Sequence, residues 1–336
     1  MKIAFSTNHP NPVIYGGFEV QAWRTYSELR SAGLQIELLE WHTKSQSFDV
    51  LHLFGWSPVW WDVSEHWFGR GKLVLSMVGG FQRRTRMGAV LTSIKRGIRR
   101  QLNVSDSWSK NQLLLLMRAD QIICLSRFEA EVLENEYRVP AERISIIPNG
   151  VDPVFGSVSM SEFRQKYAIS NYVLFVGSIS RRKNPLALLR CLKSLGVPGV
   201  FIGIPAGGES DYVAEFEREF SGLKDQIWIR GLDSGSSLLA SAYAGARAFC
   251  LPSLSETQPI SALEAVASGI PVILGNGAYS EADVYQGCLR VNPLSGGSLE
   301  HGVARALAGG TGIVDRKKIL TWSEVAKSVS EVYEKI

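Results

Sequence analysis

The sequence has 336 residues, of which 45% are hydrophobic and 20% charged. That length predicts two domains of ordinary size, and that composition excludes a disordered chain. No apolar run reaches the ~18 residues needed to span a bilayer, and the stretch Met1 to Phe5 is too short for a secretory leader, so a cytoplasmic location is expected. Cys124, Cys191, Cys250 and Cys288 lie far apart, without zinc-ligand spacing. Cys124 and Cys250 sit in apolar runs, which predicts buried thiols in a reducing compartment.

In chain order, Lys2–Ser6 reads as a buried strand and Phe18–Ala32 as an amphipathic helix stopped by Gly33. Between them lies a turn-rich loop ending in Gly16-Gly17. Strands follow at Leu34–Leu39, Val50–Phe54 and Leu73–Val78. Another strand, Gln121–Leu125, comes after a helix, and Arg127–Tyr137 reads as the next helix. Strands alternating with helices predict a parallel sheet covered on both faces. Pro148-Asn149-Gly150-Val151-Asp152-Pro153 breaks the alternation, which marks a linker.

A second alternation begins with the strand Tyr172–Val176 and the helix Pro185–Leu195. Strands are predicted at Gly199–Gly203, Gln226–Ile229, Ala248–Leu251, Pro271–Leu274 and Cys288–Val291, and amphipathic helices at Glu300–Leu307 and Ser323–Tyr333. The expected architecture is α/β, with domains at 1–150 and 151–318 and a terminal segment at 319–336. Two open parallel sheets that bind ligands beyond their strand ends imply a cleft between facing domains.

The net charge of +4 is unevenly spread. From His66 to Ser105 there is no Asp or Glu, while Arg70, Lys72, Arg83, Arg84, Arg86, Lys95, Arg96, Arg99 and Arg100 fall there. Trp56, Trp60, Trp61 and Trp67 lie just upstream. Residues 83–100 therefore suit an anionic membrane face or a lipid diphosphate acceptor. A solvated face above core tryptophans is the alternative. No nucleic-acid-binding module is present, so nucleic acid is not an expected partner.

Three segments carry chemistry. In Ser255–Glu264, a loop after a strand leads into a helix near Pro259, a residue suited to a first helical turn. A helix start suits a phosphate. Glu256 and Glu264 are better placed to accept hydrogen bonds from hydroxyls, and a vicinal diol offers two donors to one carboxylate. The alternative is that both are acids complementing the helix dipole. In the second segment, a strand enters Gly177 and then Arg181-Arg182-Lys183, cations at a strand's carboxyl end that could neutralise a departing diphosphate. In the third, Gly16 and Gly17 open a helix where backbone could approach a phosphate.

In this order and at these separations, the three segments resemble the retaining glycosyltransferases of family 4, whose GT-B fold has two facing Rossmann-like domains. Ala119–Phe128, Ile146–Asp152 and Glu256-x7-Glu264 with Ala265–Ile273 match that family's pattern. The resemblance implies a nucleotide-sugar donor, UDP-linked, and a glycan or lipid-linked acceptor. It also implies that Arg182 and Lys183 hold the diphosphate, that Glu256 contacts the sugar, and that Glu264 binds the ribose. Thr257, Gln258, Pro259 and Ile260 would line the donor at the helix start, Gly16 and Gly17 would close on it, and Leu232 would line the base pocket. No metal and no cofactor are implied, and the last helix is expected to pack on the N-terminal domain.

The chain departs from the family at Thr257-Gln258-Pro259, at Ser178, and at Gly79-Gly80, where many members carry a His. His52 reads as structural, and His9 is the weaker candidate to fill that role. Another GT-B enzyme such as an epimerase, and a non-catalytic nucleotide-sugar binder, share the same expected donor site. A dinucleotide oxidoreductase is disfavoured, because no Gly-x-Gly-x-x-Gly follows the first strand.

Overall fold

A computed structural model describes residues 1–7, 16–40, 46–78, 107–276, 283–310 and 316–336, with the backbone alone at 107–110. These residues form two compact units, Met1–Asn149 with Trp322–Ile336, and Gly150–Thr321. Among the described residues no helix is long and apolar enough to cross a membrane.

The N-terminal unit contains β1 (Ile3–Thr7), α1 (Gly17–Ser31), β2 (Ile36–Leu38), β3 (Val50–Phe54), α2 (Val59–Trp67) and β4 (Lys72–Ser76), then α3 (Ser107–Arg118), β5 (Gln121–Cys124), α4 (Arg127–Glu136) and β6 (Ile144–Ile146). Its six strands are all parallel, in the order β2-β1-β3-β4-β5-β6. β3 is buried at every residue, because a parallel strand is covered on both faces. Trp60 is fully buried, and Trp56, Trp61 and Trp67 pack against the same core. These four tryptophans therefore fit the core alternative. The basic stretch 83–100, His9 and Gly79-Gly80 lie outside the described residues.

The second unit runs through β7 (Gly150–Val151), α5 (Ser161–Tyr167), β8 (Tyr172–Val176), α6 (Pro185–Leu195), β9 (Gly199–Ile202), α7 (Ser210–Phe220) and β10 (Gln226–Ile229). It continues with α8 (Ser237–Gly245), β11 (Ala246–Leu251), α9 (Ile260–Ser268), β12 (Val272–Gly275), β13 (Leu289–Val291), α10 (Gly296–Leu307) and β14 (Leu320–Thr321). Its main sheet is again all parallel, in the order β10-β9-β8-β11-β12-β13. The chain winds outward from β8 in one direction and from β11 in the other. The topological switch point therefore falls between the carboxyl ends of β8 and β11, where ligands of such sheets bind.

Helices α2, α5, α7 and α8 were not evident from spacing alone. The helix α7 buries Tyr212, Val213 and Phe216 at helical intervals, but the strand-like aromatics mask that period. Cys124, Cys191 and Cys250 are buried free thiols, and Cys288 is half-buried.

The last helix, α11 (Trp322–Glu334), belongs to the N-terminal unit and packs on α1. Its Tyr333 hydroxyl meets His52 Nδ1 at 2.6 Å, and His52 Nε2 meets Ser76 Oγ at 2.8 Å. His52 is fully buried with both ring nitrogens engaged, which is a structural role. Burial drops its pKa from the usual 6.5 to about 3. Glu129 is also buried. One of its oxygens accepts from the Leu125 amide at 2.8 Å, and the other has no partner. Burial raises that carboxyl to about 7.

These two groups act on stability in opposite senses. Below pH 6.5 the unfolded chain protonates His52 and the folded chain does not, so His52 costs stability as pH falls toward about 3. Between 4.5 and about 7 the folded chain keeps the Glu129 proton that the unfolded chain loses, so Glu129 costs stability as pH rises. The slopes, each ~1.4 kcal/mol per pH unit, cancel where they overlap. Glu129→Gln exposes the His52 slope. Urea unfolding of this variant, followed by tryptophan fluorescence, is expected to lose ~2 kcal/mol more than wild type between pH 6.5 and 5. Equal pH dependence in the two proteins would contradict the assignment. Trp228 is the single tryptophan outside the N-terminal unit, so the signal reports chiefly on that unit.

In the second unit, a Cβ added at Gly203 would lie 1.9 Å from the Gly177 carbonyl oxygen. This close backbone approach fixes the turn that follows β8. Gly203→Ala is expected to lower unfolding stability by ~1–3 kcal/mol, the usual cost of overpacking, as measured by urea denaturation. An unchanged midpoint would show that the turn gives way freely.

Candidate donor-binding site

Two loops leave the sheet at its switch point. The first runs from Val176 through Gly177 to Lys183, and then Asn184 turns the chain into α6. Asn184 takes a left-handed conformation, φ 57°, which Asn tolerates better than most residues, and Pro185 follows where its missing N–H costs nothing. The Asn184 side chain donates to the Pro293 carbonyl at 2.9 Å, pinning the loop's far end. The second loop runs from Leu251 to α9. The Leu254 amide donates to the Arg182 carbonyl at 2.8 Å, joining the two loops through backbone.

The three consecutive cations diverge. Arg181 pairs with Asp211, lies over the Tyr212 ring at 5.4 Å, and its amide donates to Glu209 at 2.6 Å. It is therefore committed to α7. Arg182 and Lys183 turn the other way, and both reach Glu256 Oε1 at 2.6 Å. Arg182 also donates to the Ser255 carbonyl at 3.0 Å. Lys183 and Glu256 have side chains only 13% and 7% exposed, so this pair is largely desolvated, while Arg182 stays half-exposed. The Lys183 stem passes over Gly177, where an added Cβ would lie 3.5 Å from Lys183 Cδ, an ordinary packing distance. Burial lowers the Lys183 pKa below the usual range and Arg182 lowers it further, whereas the Glu256 carboxylate opposes the shift. A second anion beside Lys183 would hold its charge more firmly.

The helix start differs from the sequence expectation by one position. Pro259 is extended (φ −68°, ψ 121°) and sits before the first helical residue, Ile260. Its carbonyl accepts from the Ala262 and Leu263 amides at 3.1 and 3.3 Å, and from the Tyr285 hydroxyl at 3.2 Å. Gln258, Pro259 and Ile260 are buried and Thr257 is half-buried. Glu264 is 4% exposed, a full turn inside α9, with Oε2 accepting from the Tyr243 hydroxyl at 2.8 Å. The helix has no acid in its first turn. A solvated dipole-complementing role is thereby excluded for Glu264, since buried carboxylates persist only with hydrogen-bond donors.

Arg182, Lys183, Glu256 and the start of α9 thus come together around the switch point. Leu232 is half-buried beyond the end of β10 and packs against the same unit's core. Gly16 and Gly17 lie in the other unit, exposed at the start of α1 with no side-chain cap. Among the described residues, a Cβ at Gly17 would meet nothing within 4 Å. Sequence reasoning did not single out Tyr243 or Tyr285. A lone phenol in the Ala-rich segment Leu239-Ala240-Ser241-Ala242-Tyr243 was the available signal, because a buried hydroxyl needs a partner.

Solved structures with this architecture include sucrose-phosphate synthase from Thermosynechococcus elongatus, with TM-score 0.77, 16% identity, and coverage of 100% of this chain and 99% of that one. Anabaena HepE in complex with UDP-glucose superposes with TM-score 0.71 at 14% identity, over 100% of both chains. The fold is therefore that of the GT-B glycosyltransferases. The model for Glycosyltransferase Family 4 matches residues 7–155, and that for glycosyl transferases group 1 matches residues 159–286. With both halves matched, the chain belongs to the glycosyltransferases of the family 4 type.

Relatives include a D-inositol 3-phosphate glycosyltransferase of Nocardiopsis dassonvillei, 31% identical over 47% of this chain and 40% of that protein. Another is the Escherichia coli UDP-Gal:alpha-D-GlcNAc-diphosphoundecaprenol alpha-1,3-galactosyltransferase, 28% identical over 46% of this chain and 42% of that protein. The chain spans about half the length of the curated relatives it matches.

Removing one member of a desolvated ion pair strands the other. Glu256→Gln is therefore expected to lower the stability of the second unit by ~3 kcal/mol. Adding Lys183→Met to that variant should restore at least half of the loss. Chemical denaturation of the two variants checks this, and a double variant less stable than the single one would contradict it.

Proposed function

We propose that this chain transfers a hexosyl group from a UDP-sugar to a hydroxyl of a glycan or lipid-linked acceptor, with retention of anomeric configuration. The observation that carries this reading is the convergence of Arg182 and Lys183 on one oxygen of Glu256 at the switch point, beside the start of α9. A donor diphosphate in that place would meet two cations and the positive end of a helix. Glu256, an anion, would turn toward the sugar hydroxyls, and Glu264 would accept from the ribose. The UDP-glucose complex of the HepE protein and the lipid-diphosphate acceptor in the name of the Escherichia coli relative support the choice of donor and acceptor class.

In this reading the bond between sugar C1 and the diphosphate oxygen breaks, and its electron pair goes to the diphosphate. Lys183 and Arg182 stabilise that charge as it forms. The acceptor oxygen bonds to C1 from the face the diphosphate leaves, and its proton passes to a diphosphate oxygen. The protein supplies positioning and electrostatic stabilisation rather than a nucleophile. No metal and no cofactor take part in the proposed step. Residues Thr257 to Ile260 would set the sugar preference. Leu232 would line the base. The proposed site of action is the cytoplasmic face of the membrane, held by the basic stretch 83–100.

Lys183→Ala is expected to lower turnover by ~10²-fold or more, the cost of losing one transition-state donor. The assay follows nucleoside diphosphate release from a UDP-sugar with a polyprenyl-diphosphate glycan as acceptor. Unimpaired turnover would overturn the role of Lys183. Release that ignores the acceptor would argue against transfer.

A further inference from the structure

The loop after β8 is held along its length by the loop after β9. The Gly203 backbone lies against the Gly177 carbonyl, and beyond it Ile179 and Pro205 form an isolated parallel bridge. The Ile179 amide donates to the Ile204 carbonyl at 2.9 Å, and the Ala206 amide donates back to the Ile179 carbonyl at 3.0 Å. In a continued parallel ladder, the Arg181 amide would donate next to the Ala206 carbonyl. It donates instead to Glu209 Oε2, at 2.6 Å. A carboxylate thus supplies the next rung, at the point where the chain leaves the ladder and turns.

Glu209 stands just before the first residue of α7, yet its side chain makes no capping bond to that helix. The half-buried carboxylate reaches across to the other loop. An ionised acceptor on a backbone amide makes a strong hydrogen bond. The neighbouring Arg181–Asp211 pair is exposed, and such pairs contribute little. Glu209 is therefore the firmer of the two ties. Past it the chain turns within three residues. The Lys183 amide donates to Ser180 Oγ at 3.3 Å, and the Asn184 amide to the Ser180 carbonyl at 2.9 Å. Arg181 is left facing α7, while Arg182 and Lys183 reach Glu256.

We propose that Glu209 is a positioning residue for diphosphate binding: its bond to the Arg181 amide sets the turn that presents Arg182 and Lys183 to the donor. This inference rests on the donor-site reading above, in which those two cations hold the diphosphate. It makes a prediction opposite in sign to simple charge. An anion beside the loop repels a diphosphate, so on charge alone its removal tightens binding. As a tie, its removal loosens the loop, and ordering the loop then opposes binding.

The test is calorimetric. The nucleoside diphosphate with the highest wild-type affinity among UDP, ADP and GDP is compared with the monophosphate of the same base, on wild type, Glu209→Ala and Glu209→Gln. Wild type is expected to bind the diphosphate roughly tenfold or more tighter, as befits an added phosphate facing two cations. In E209A that ratio is expected to shrink by about fivefold, the size of one lost side-chain bond to a backbone amide. E209Q loses the charge but keeps an acceptor oxygen, and is expected to hold the ratio within about twofold of wild type. Because the comparison is a ratio within each protein, partial loss of folded variant drops out of it. A ratio unchanged or raised in E209A, or lowered as much in E209Q, would overturn the inference about Glu209 alone. Wild type that binds neither nucleotide, or both equally, would overturn the donor-site reading and this inference with it.

Discussion

Arg182 and Lys183 both reach one carboxylate oxygen of Glu256, each at 2.6 Å, and the geometry of the second unit's binding end follows from that meeting. The loop after β8 and the loop after β11 come from strands adjacent in the sheet but about 75 residues apart in sequence, as parallel crossovers require. The ion pair and the Leu254–Arg182 backbone bond join them. A desolvated Lys⁺–Glu⁻ pair is weak evidence for stability, since dehydration offsets much of its attraction. In the proposed reading a polyanion takes over the cations, and the carboxylate they leave accepts instead from the sugar hydroxyls.

The N-terminal unit is organised around a different polar centre. His52, Ser76 and Tyr333 form a buried chain of hydrogen bonds that ties the last helix to the sheet. Phe5 and Phe54 lie against the imidazole, at 5.1 and 5.5 Å, and the ring is fully buried, so a charge on it would be poorly solvated. A residue that could have served acid–base chemistry is thereby held neutral. The hydroxyl of Tyr333 makes a polar link between a helix that begins at residue 322 and a strand that begins at residue 50.

Strands were the most legible part of the sequence. Runs such as Tyr172–Val176, and Val50–Phe54 apart from His52, are apolar, because parallel strands are buried on both faces, and their positions match to within a residue or two. Short helices were less legible. The helix α2 is rich in aromatics and only nine residues long, so its period is hard to separate from a strand's. At the candidate site, Arg181, Arg182 and Lys183 look alike as residue types. What separates them is Asp211 and Glu209, some 30 residues downstream, which draw Arg181 to α7. Likewise Glu264 reads as an ordinary helix acid until Tyr243 is seen behind it. Sequence spacing carries the elements and the motif, whereas the partners of each charge depend on strand order, and a local pattern does not encode that order.

The most direct measurement is thermal unfolding of the wild-type protein in the presence of UDP-, GDP- and ADP-sugars, each at ~100-fold over an expected dissociation constant. Ligand that binds only the folded state stabilises by ~2.7 kcal/mol at that excess, so at least one donor, expected to be a UDP-sugar, should raise the melting temperature by a few degrees. The shift should disappear in a variant lacking both Arg182 and Lys183. No shift with any of the three nucleotide classes would contradict the account at its centre.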